Sequence, residues 1–469
     1  MNPTDSGRRR FLKVLGAGAA AGATSPMFEA LAQMMPGAAS TEFFLFIHAQ
    51  GAWDITVSLD PRNQFIDITE PATTDTIDKS GLIHWTDNTP QNGQTSFRLF
   101  RPTGSNITFG PAIGLMGDAR RFERMTVING IAMNTVSHPD GTAYSSTGRR
   151  LAGGKPVAPS IDTMLASELG TSQLFPTLSV RYPSFYTGPN LNARALPLRV
   201  DTIGAVARSL TRSNRATDRA TRSAVNQVLR DETRELADRS YFPQVYQGVE
   251  QQLESLERIH ANPELTNLFS TAALAAKAEL APIYRPMQPG TSTVMPYVFE
   301  NGVIPNAAFA VEAFRLNLAR CVSFATTSFD THFSNYEDQP QHQQELFNML
   351  AGLIDVLSAT DHPTVAGHKL IDHTHILVTS DFCRTPQINV YGGRDHYPSN
   401  SAVIISPRFR GNFSFGTTDP RQLLSTTRMF PDGVRAITPA DVLATFLDAF
   451  GVDPRRFMRD GAVMREIRR

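Results

Sequence analysis

The stretch Ile376-Leu-Val-Thr-Ser-Asp381-Phe-Cys-Arg-Thr-Pro386, followed by Gly393-Arg-Asp-His396, decides the reading of this chain. A short, unbroken run of apolar and β-branched residues marks a strand covered on both faces, and in sheets of such strands ligands collect at the carboxyl ends. Asp381 stands at that end. His396 follows fifteen residues later, on a loop that returns an imidazole to the same edge. A carboxylate and an imidazole meeting there point to a metal ion.

Working outward, the pattern recurs. Glu42–His48 reads as a strand followed by the loop Ala49-Gln-Gly-Ala-Trp-Asp54, and Arg124–Gly130 as a second strand leading into Val136-Ser137-His138-Pro139 and on to Thr147-Gly148-Arg149. Cys321–Thr327 is a strand ending at Phe329-Asp330-Thr331-His332. A helix from about Gln341 to Ala359, the Asp381 strand, a strand Ala402–Ser406 and an amphipathic helix Pro439–Phe450 complete the series. Alternating strands and helices predict an α/β fold, a mainly parallel sheet covered by helices on both faces.

Two stretches break the alternation. Residues 60–115, rich in Asn, Thr, Pro and Gly without periodicity, read as a long irregular connection. From Asp201 to about Pro282 the chain turns rich in Arg, Ala, Gln and Glu, with Val225, Leu229, Leu236, Val249, Leu253 and Leu256 at helical spacings. That predicts a helical insertion whose arginine-rich face is a solvated surface. The expected division is therefore a leader over 1–39, the halves of one α/β domain over 40–200 and 286–469, and the insertion over 201–285. No internal repeat is present.

The leader is read from Arg8-Arg9-Arg10-Phe11-Leu12-Lys13, which fits the twin-arginine export pattern, and from the weakly apolar segment Val14 to Thr24 behind it. That segment is too short and too rich in Gly and Ala to span a bilayer, and no other stretch has the apolar length to do so. A small-x-small site at Ala30-Leu31-Ala32 places the mature start near Gln33, with Ala38-Ala39 as the second choice. The expectations are a periplasmic or secreted protein, the twin-arginine translocase as a partner, and no transmembrane anchor.

Of 469 residues, 44 are basic and 44 acidic, so no net charge draws the chain to nucleic acid or to another polyanion. Hydrophobic content of 41% is that of an ordinary soluble domain. There are two cysteines, Cys321 and Cys383. One opens a strand and the other lies beyond the end of another, so at about 3.3 Å per residue their sulfurs sit roughly 30 Å apart and both are read as free.

Four strand ends thus carry candidate ligands: Asp54, Asp330 with His332, Asp381, and His396. Each alone has a plain reading, since Asp after a strand caps helices and turns, and Asp395 is expected to pair with Arg394 at the surface. Their joint occurrence carries the weight. His84, His260, His342, His362 and the His373/His375 pair lack such partners and are read as structural or exposed.

Asp54, Phe329-Asp-Thr-His332, Thr379-Ser-Asp-Phe-Cys-Arg-Thr-Pro386, Gly392-Gly-Arg-Asp-His-Tyr-Pro398 and the closing segment Ile437–Gly451 resemble a large family of twin-arginine-exported bacterial proteins, of the domain of unknown function 1501 type. By fold that family belongs with alkaline phosphatases, arylsulfatases and cofactor-independent phosphoglycerate mutases. The resemblance implies a metal-dependent hydrolase of phosphate or sulfate esters with two divalent cations, zinc, calcium, magnesium and manganese all remaining open. Asp54 and Asp381 would hold one cation, and Asp330, His332 and His396 the other. Ser137, with His138 beside it, matches the segment that carries the nucleophile and leads into Thr-Gly-Arg, and a hydroxyl at a helix start faces an anion-binding end. The same Ser137 reads equally as a helix N-cap. Arg384 or Arg394 would bind an ester oxygen. The chain departs from the superfamily pattern in having Phe382 where Asp-His is frequent, and in a closer spacing of Asp330 and His332. The rival reading is a noncatalytic exported binding or assembly protein, acting with another exported protein through the insertion.

Overall fold

The computed structural model describes residues 40–62, 81–87, 97–170, 173–188, 191–204, 219–239, 246, 268–287, 303–326, 329–458 and 460–469. The leader and much of the expected insertion lie outside these residues.

Ten strands matter for the site. They are β1 (Phe43–Ala49), β2 (Met125–Ala132), β3 (Phe175–Val180), β4 (Leu198–Val200), β5 (Ala319–Thr326), β6 (Thr374–Ser380), β7 (Cys383–Arg384), β8 (His396–Tyr397), β9 (Ser399–Ile405) and β10 (Phe413–Phe415). Eight of them form one sheet in the order β10-β2-β9-β6-β1-β5-β3-β4, while β7 and β8 pair separately as an antiparallel ribbon. Seven of the eight run parallel. The exception is β9, antiparallel to both β6 and β2, so the strand expected at 402–406 is present but reversed.

Central strands buried on both faces need a helical layer on each side, and the sequence supplies both. The longer helices are α1 (His138–Thr147), α2 (Ile161–Leu169), α3 (Arg219–Arg239), α4 (Val303–Arg315), α5 (Asn335–Ala359) and α6 (Pro439–Ala449).

 Side chains of β1 alternate between the layers. Phe43, Leu45 and Ile47 share a core with Phe309 and Phe314 of α4 and Leu346, Leu350 and Leu353 of α5. Phe44 and Phe46 face the opposite core with Met164 and Leu165 of α2 and Leu443, Phe446 and Leu447 of α6. The Phe43 ring lies 4.9 Å from that of Phe314, and the Phe44 ring 5.5 Å from that of Phe446. Each large apolar side chain so buried contributes about 1.5–3 kcal/mol.

Several boundaries differ from expectation. Helix α5 begins at Asn335 rather than near Gln341, and Pro340 lies inside it. Strands β3 and β4 and helices α2 and α4 were not anticipated. Of the helical positions in the insertion, Val225, Leu229 and Leu236 of α3 stand exposed. Both cysteines are free and buried, as read. Among the described residues, no helix is long and apolar enough to cross a membrane.

Candidate metal centre

The carboxyl edge of the sheet gathers loops that are far apart in sequence. Asp381 follows β6 directly, Asp330 follows β5, His396 opens β8, and β2 leads into α1, whose first residue is His138. Two glycines let these loops touch. A Cβ on Gly141 would stand 2.5 Å from the Asp381 carbonyl oxygen, so only glycine lets α1 rest there. A Cβ on Gly393 would fall 1.9 Å from the backbone of His332, which is how the 393–396 turn comes down beside that residue.

Asp330 Oδ1 lies 3.5 Å from His138 Nε2, 3.3 Å from His332 Nε2 and 3.6 Å from His396 Nε2. His332 Nε2 and His396 Nε2 are 2.9 Å apart. His138, Asp330 and His396 offer ligand atoms all within 4.8 Å of one another, which makes them the one metal-type group among the described residues. Each imidazole is fixed from behind through Nδ1. His138 uses it toward Asp381 Oδ2, His332 toward Asp395 Oδ1 at 3.1 Å, and His396 toward the Val136 carbonyl at 2.8 Å. His138 also stacks on Phe382, ring centroids 4.8 Å apart.

Charges in the group are coupled. Burial alone would raise the Asp381 carboxyl, but the hydrogen bond to His138, the charges of His48 and His138 and a bond from Ser380 take it below its ordinary value. Burial would lower His138, yet its bond to Asp381 and the charges of Asp381 and Asp330 raise it. Burial works against ionised Asp330 as well, and the bond and charge of Arg384 prevail and lower it. His396 moves down through burial, with the charges of His138, Arg384 and His332 adding to it against its bond to Val136.

The expected site residues divide between this centre and its supports. Asp330, His332 and His396 come together as the resemblance implied, and His138 joins them. Asp381 turns its Oδ2 to His138 and its Oδ1 to the Ala52 amide at 2.8 Å. Asp54 faces elsewhere. Its Oδ2 takes a bond from Asn335 at 2.9 Å and lies 3.2 Å from Arg394 Nε, and its Oδ1 takes one from Thr56. Its backbone is held by Gln339 and Gln343, each at 2.8 Å, so Asn335, Gln339 and Gln343 form one polar stripe along α5.

Arg384 and Arg394 are fully buried. Arg384 donates to Ala52 O at 2.8 Å, Arg394 O at 3.0 Å, Phe329 O at 3.0 Å and Asp330 Oδ1 at 2.6 Å, so it ties the loops together. Arg394 donates to Thr385 O at 2.6 Å beside its pairing with Asp54. Arg394 is thus buried rather than at the surface where its pairing with Asp395 is expected, and Asp395 Oδ1 lies 3.1 Å from His332 Nδ1. Ser137 occupies the N-cap position of α1 and is exposed, but its side chain makes no capping bond.

Of the histidines set aside by the sequence reading, His260 lies outside the described residues, and others have partners. At the opposite edge of the sheet His373 and His375 both contact Glu42, and His362 and His368 contact His373 by ring contact and at 2.9 Å respectively. His48, the sixth residue of β1, also escaped the sequence reading because it looked like part of an apolar run. It is buried, 3.4 Å from Thr142 Oγ1, and lines a cleft of about 340 Å³ with Thr142, Arg181, Tyr182 and His138. His138 thus belongs both to the metal-type group and to the cleft wall.

These features define an α/β protein with a metal-type centre at the carboxyl edge of a mainly parallel sheet. The chain belongs to the family described as protein of unknown function DUF1501, whose profile matches residues 70–465. Comparison with curated proteins gave no match. Among solved structures, Ps i-CgsB in complex with k-i-k-neocarrahexaose is similar at 11% identity and a TM-score of 0.36, over 90% of this chain and 75% of that one. The lipoteichoic acid synthase LtaP from Listeria monocytogenes is similar at 8% identity and a TM-score of 0.31, over 91% of this chain and 75% of that one.

Proposed function

We propose that the protein is an exported, metal-dependent hydrolase of phosphate or sulfate esters. The observation that carries this reading is the meeting of His138, Asp330 and His396, with His138 also lining a cleft of about 340 Å³, within the size range of small-molecule sites. The donor set fits a divalent cation, and His138 Nε2 is buried without a hydrogen-bond partner. A cation held there would supply positive charge to the ester's negative oxygens. The motif resemblance supports the same chemistry, and the twin-arginine pattern supports export to the periplasm or beyond.

Ser137 is the candidate nucleophile. Its Oγ forms a bond to phosphorus or sulfur as the bond to the alcohol oxygen breaks, and the serine proton ends on the departing alcohol. Water then cleaves the Ser137 ester, restoring the hydroxyl and releasing phosphate or sulfate. The first-turn amides of α1 face the same anion. Arg384 and Arg394 act in this reading by holding the loops in place.

The second reading, a noncatalytic binding protein, draws on Phe333, Val390 and Tyr391, which stand 62%, 92% and 68% exposed on the loops that carry His332 and Gly393. Elemental analysis of the purified protein and a screen against aryl phosphates, phosphodiesters and aryl sulfates, with and without chelator, separate the two. Stoichiometric cation with chelator-sensitive turnover is expected. Metal-loaded protein that turns over none of these esters would leave only the binding reading.

A further inference from the structure

The three histidines of the centre share an arrangement that fixes their tautomers. The Val136 carbonyl accepts only, so His396 Nδ1 carries the proton and its Nε2 presents a lone pair. When neutral, His138 and His332 do the same, with Nδ1–H directed to the carboxylates of Asp381 and Asp395. Three Nε2 lone pairs therefore turn toward Asp330 Oδ1. Those of His332 and His396 lie 2.9 Å apart, a separation that either a shared proton or a bound cation bridges.

The spacing suits a particular cation. With ligand bonds of about 2.0–2.1 Å a tetrahedral set has edges of about 3.3 Å. The separations from Asp330 Oδ1 to His138 Nε2 and His396 Nε2 are 3.5 and 3.6 Å, and the ligand atoms of the three residues all lie within 4.8 Å of one another. Imidazoles favour zinc and neighbouring transition ions, whereas calcium, magnesium and manganese favour oxygen ligands.

We infer that His138 is a ligand of a single zinc-type cation, together with Asp330 and His396 and with a fourth position open to water or substrate, and that Asp381 is not a ligand but the positioning residue behind His138. The roles read from the sequence are thereby exchanged: His138 moves from beside the nucleophile to the metal, and Asp381 from the metal to the second row. Carboxylates in that row orient the imidazole and raise its basicity. His332 stands beside this set, its Nε2 3.3 Å from Asp330 Oδ1 and 2.9 Å from His396 Nε2, at the exposed side where the open position would lie. The inference deepens the hydrolase reading by naming its metal, but it is tested by binding alone.

Metal-free full-length protein is titrated with Zn²⁺, Co²⁺, Mg²⁺ and Ca²⁺, and the Co²⁺ form is followed by its visible absorption. Zinc should bind far more tightly than magnesium or calcium, at one per chain, and cobalt should give the intense visible bands of a four-coordinate nitrogen and oxygen site. His138→Phe should lower zinc affinity more than about 100-fold, and Asp381→Asn about 10- to 100-fold with the cobalt bands retained. Circular dichroism checks folding, and His138→Gln reads the same nitrogen if the Phe variant does not fold. Zinc affinity unchanged in the folded His138 variant, or tighter binding of magnesium or calcium than of zinc, overturns the inference. Zinc bound as described by a protein that cleaves no ester would defeat the hydrolase reading alone. Ester cleavage with unaltered zinc binding in the His138 variants would defeat this inference alone.

Discussion

Arg394 Nε lies 3.2 Å from Asp54 Oδ2, and neither side chain is exposed to solvent. A buried pair of this kind is a structural tie, and deleting one partner leaves the other charge uncompensated. Asp54→Ala is therefore expected to lower stability by about 3–5 kcal/mol while the protein retains its metal. Denaturant unfolding and elemental analysis of one variant decide it. Unchanged stability with lost metal would return Asp54 to the ligand set.

Ser137→Ala is expected to reduce ester hydrolysis by several orders of magnitude and to leave the melting temperature nearly unchanged, because the hydroxyl makes no capping bond whose loss costs about 1 kcal/mol. Turnover and thermal melting are measured together. Retained hydrolysis would exclude Ser137 and move attention to Thr142, whose Oγ1 faces His48 across 3.4 Å.

Acid stability should depend on His48. Burial pushes its pKa down to about 4, with Asp381 opposing and His138 adding to the shift. Above its unfolded value near 6.5 both states are neutral and its contribution is intact. Between there and about 4 the unfolded chain takes up a proton that the folded one refuses, so stability falls as pH falls, by about 3 kcal/mol at full extent. Urea unfolding of metal-free protein from pH 7 to 4 should show a shallower decline in His48→Gln. Identical slopes for the two proteins count against the assignment.

Replacing Arg8 and Arg9 with lysine should leave the precursor in the cytoplasm, since the translocase receptor reads that pair. Cell fractionation measures it, and undiminished export of the double variant would remove the twin-arginine reading.

The core of the fold was legible because β1 and β6 are short, unbroken apolar runs, and such runs have few other solutions. The direction of β9 was not, since Ala402-Val-Ile-Ile carries no mark of polarity along the chain. Pro176 inside Phe175-Pro-Thr-Leu-Ser-Val180 disguised β3, because proline argues against a strand interior. Pro340 likewise moved the expected start of α5 past Asn335 and Gln339 and hid the stripe that holds Asp54. Asp330, His332 and His396 were readable from local motifs. The contact of His138 with Asp381 was not readable, because it joins positions 243 residues apart and only the folded chain brings them together.

That separation has a bearing on the order of events in the cell. The centre takes His138 from the first half of the chain, Asp330 from behind β5 and His396 from the last quarter. A nascent chain cannot assemble it before residue 396 has left the ribosome and the sheet has closed. If the proposed cation and the proposed export both hold, occupancy would certify completed synthesis before the molecule leaves the compartment where it was made, and a pathway that carries only folded cargo would receive it already sealed.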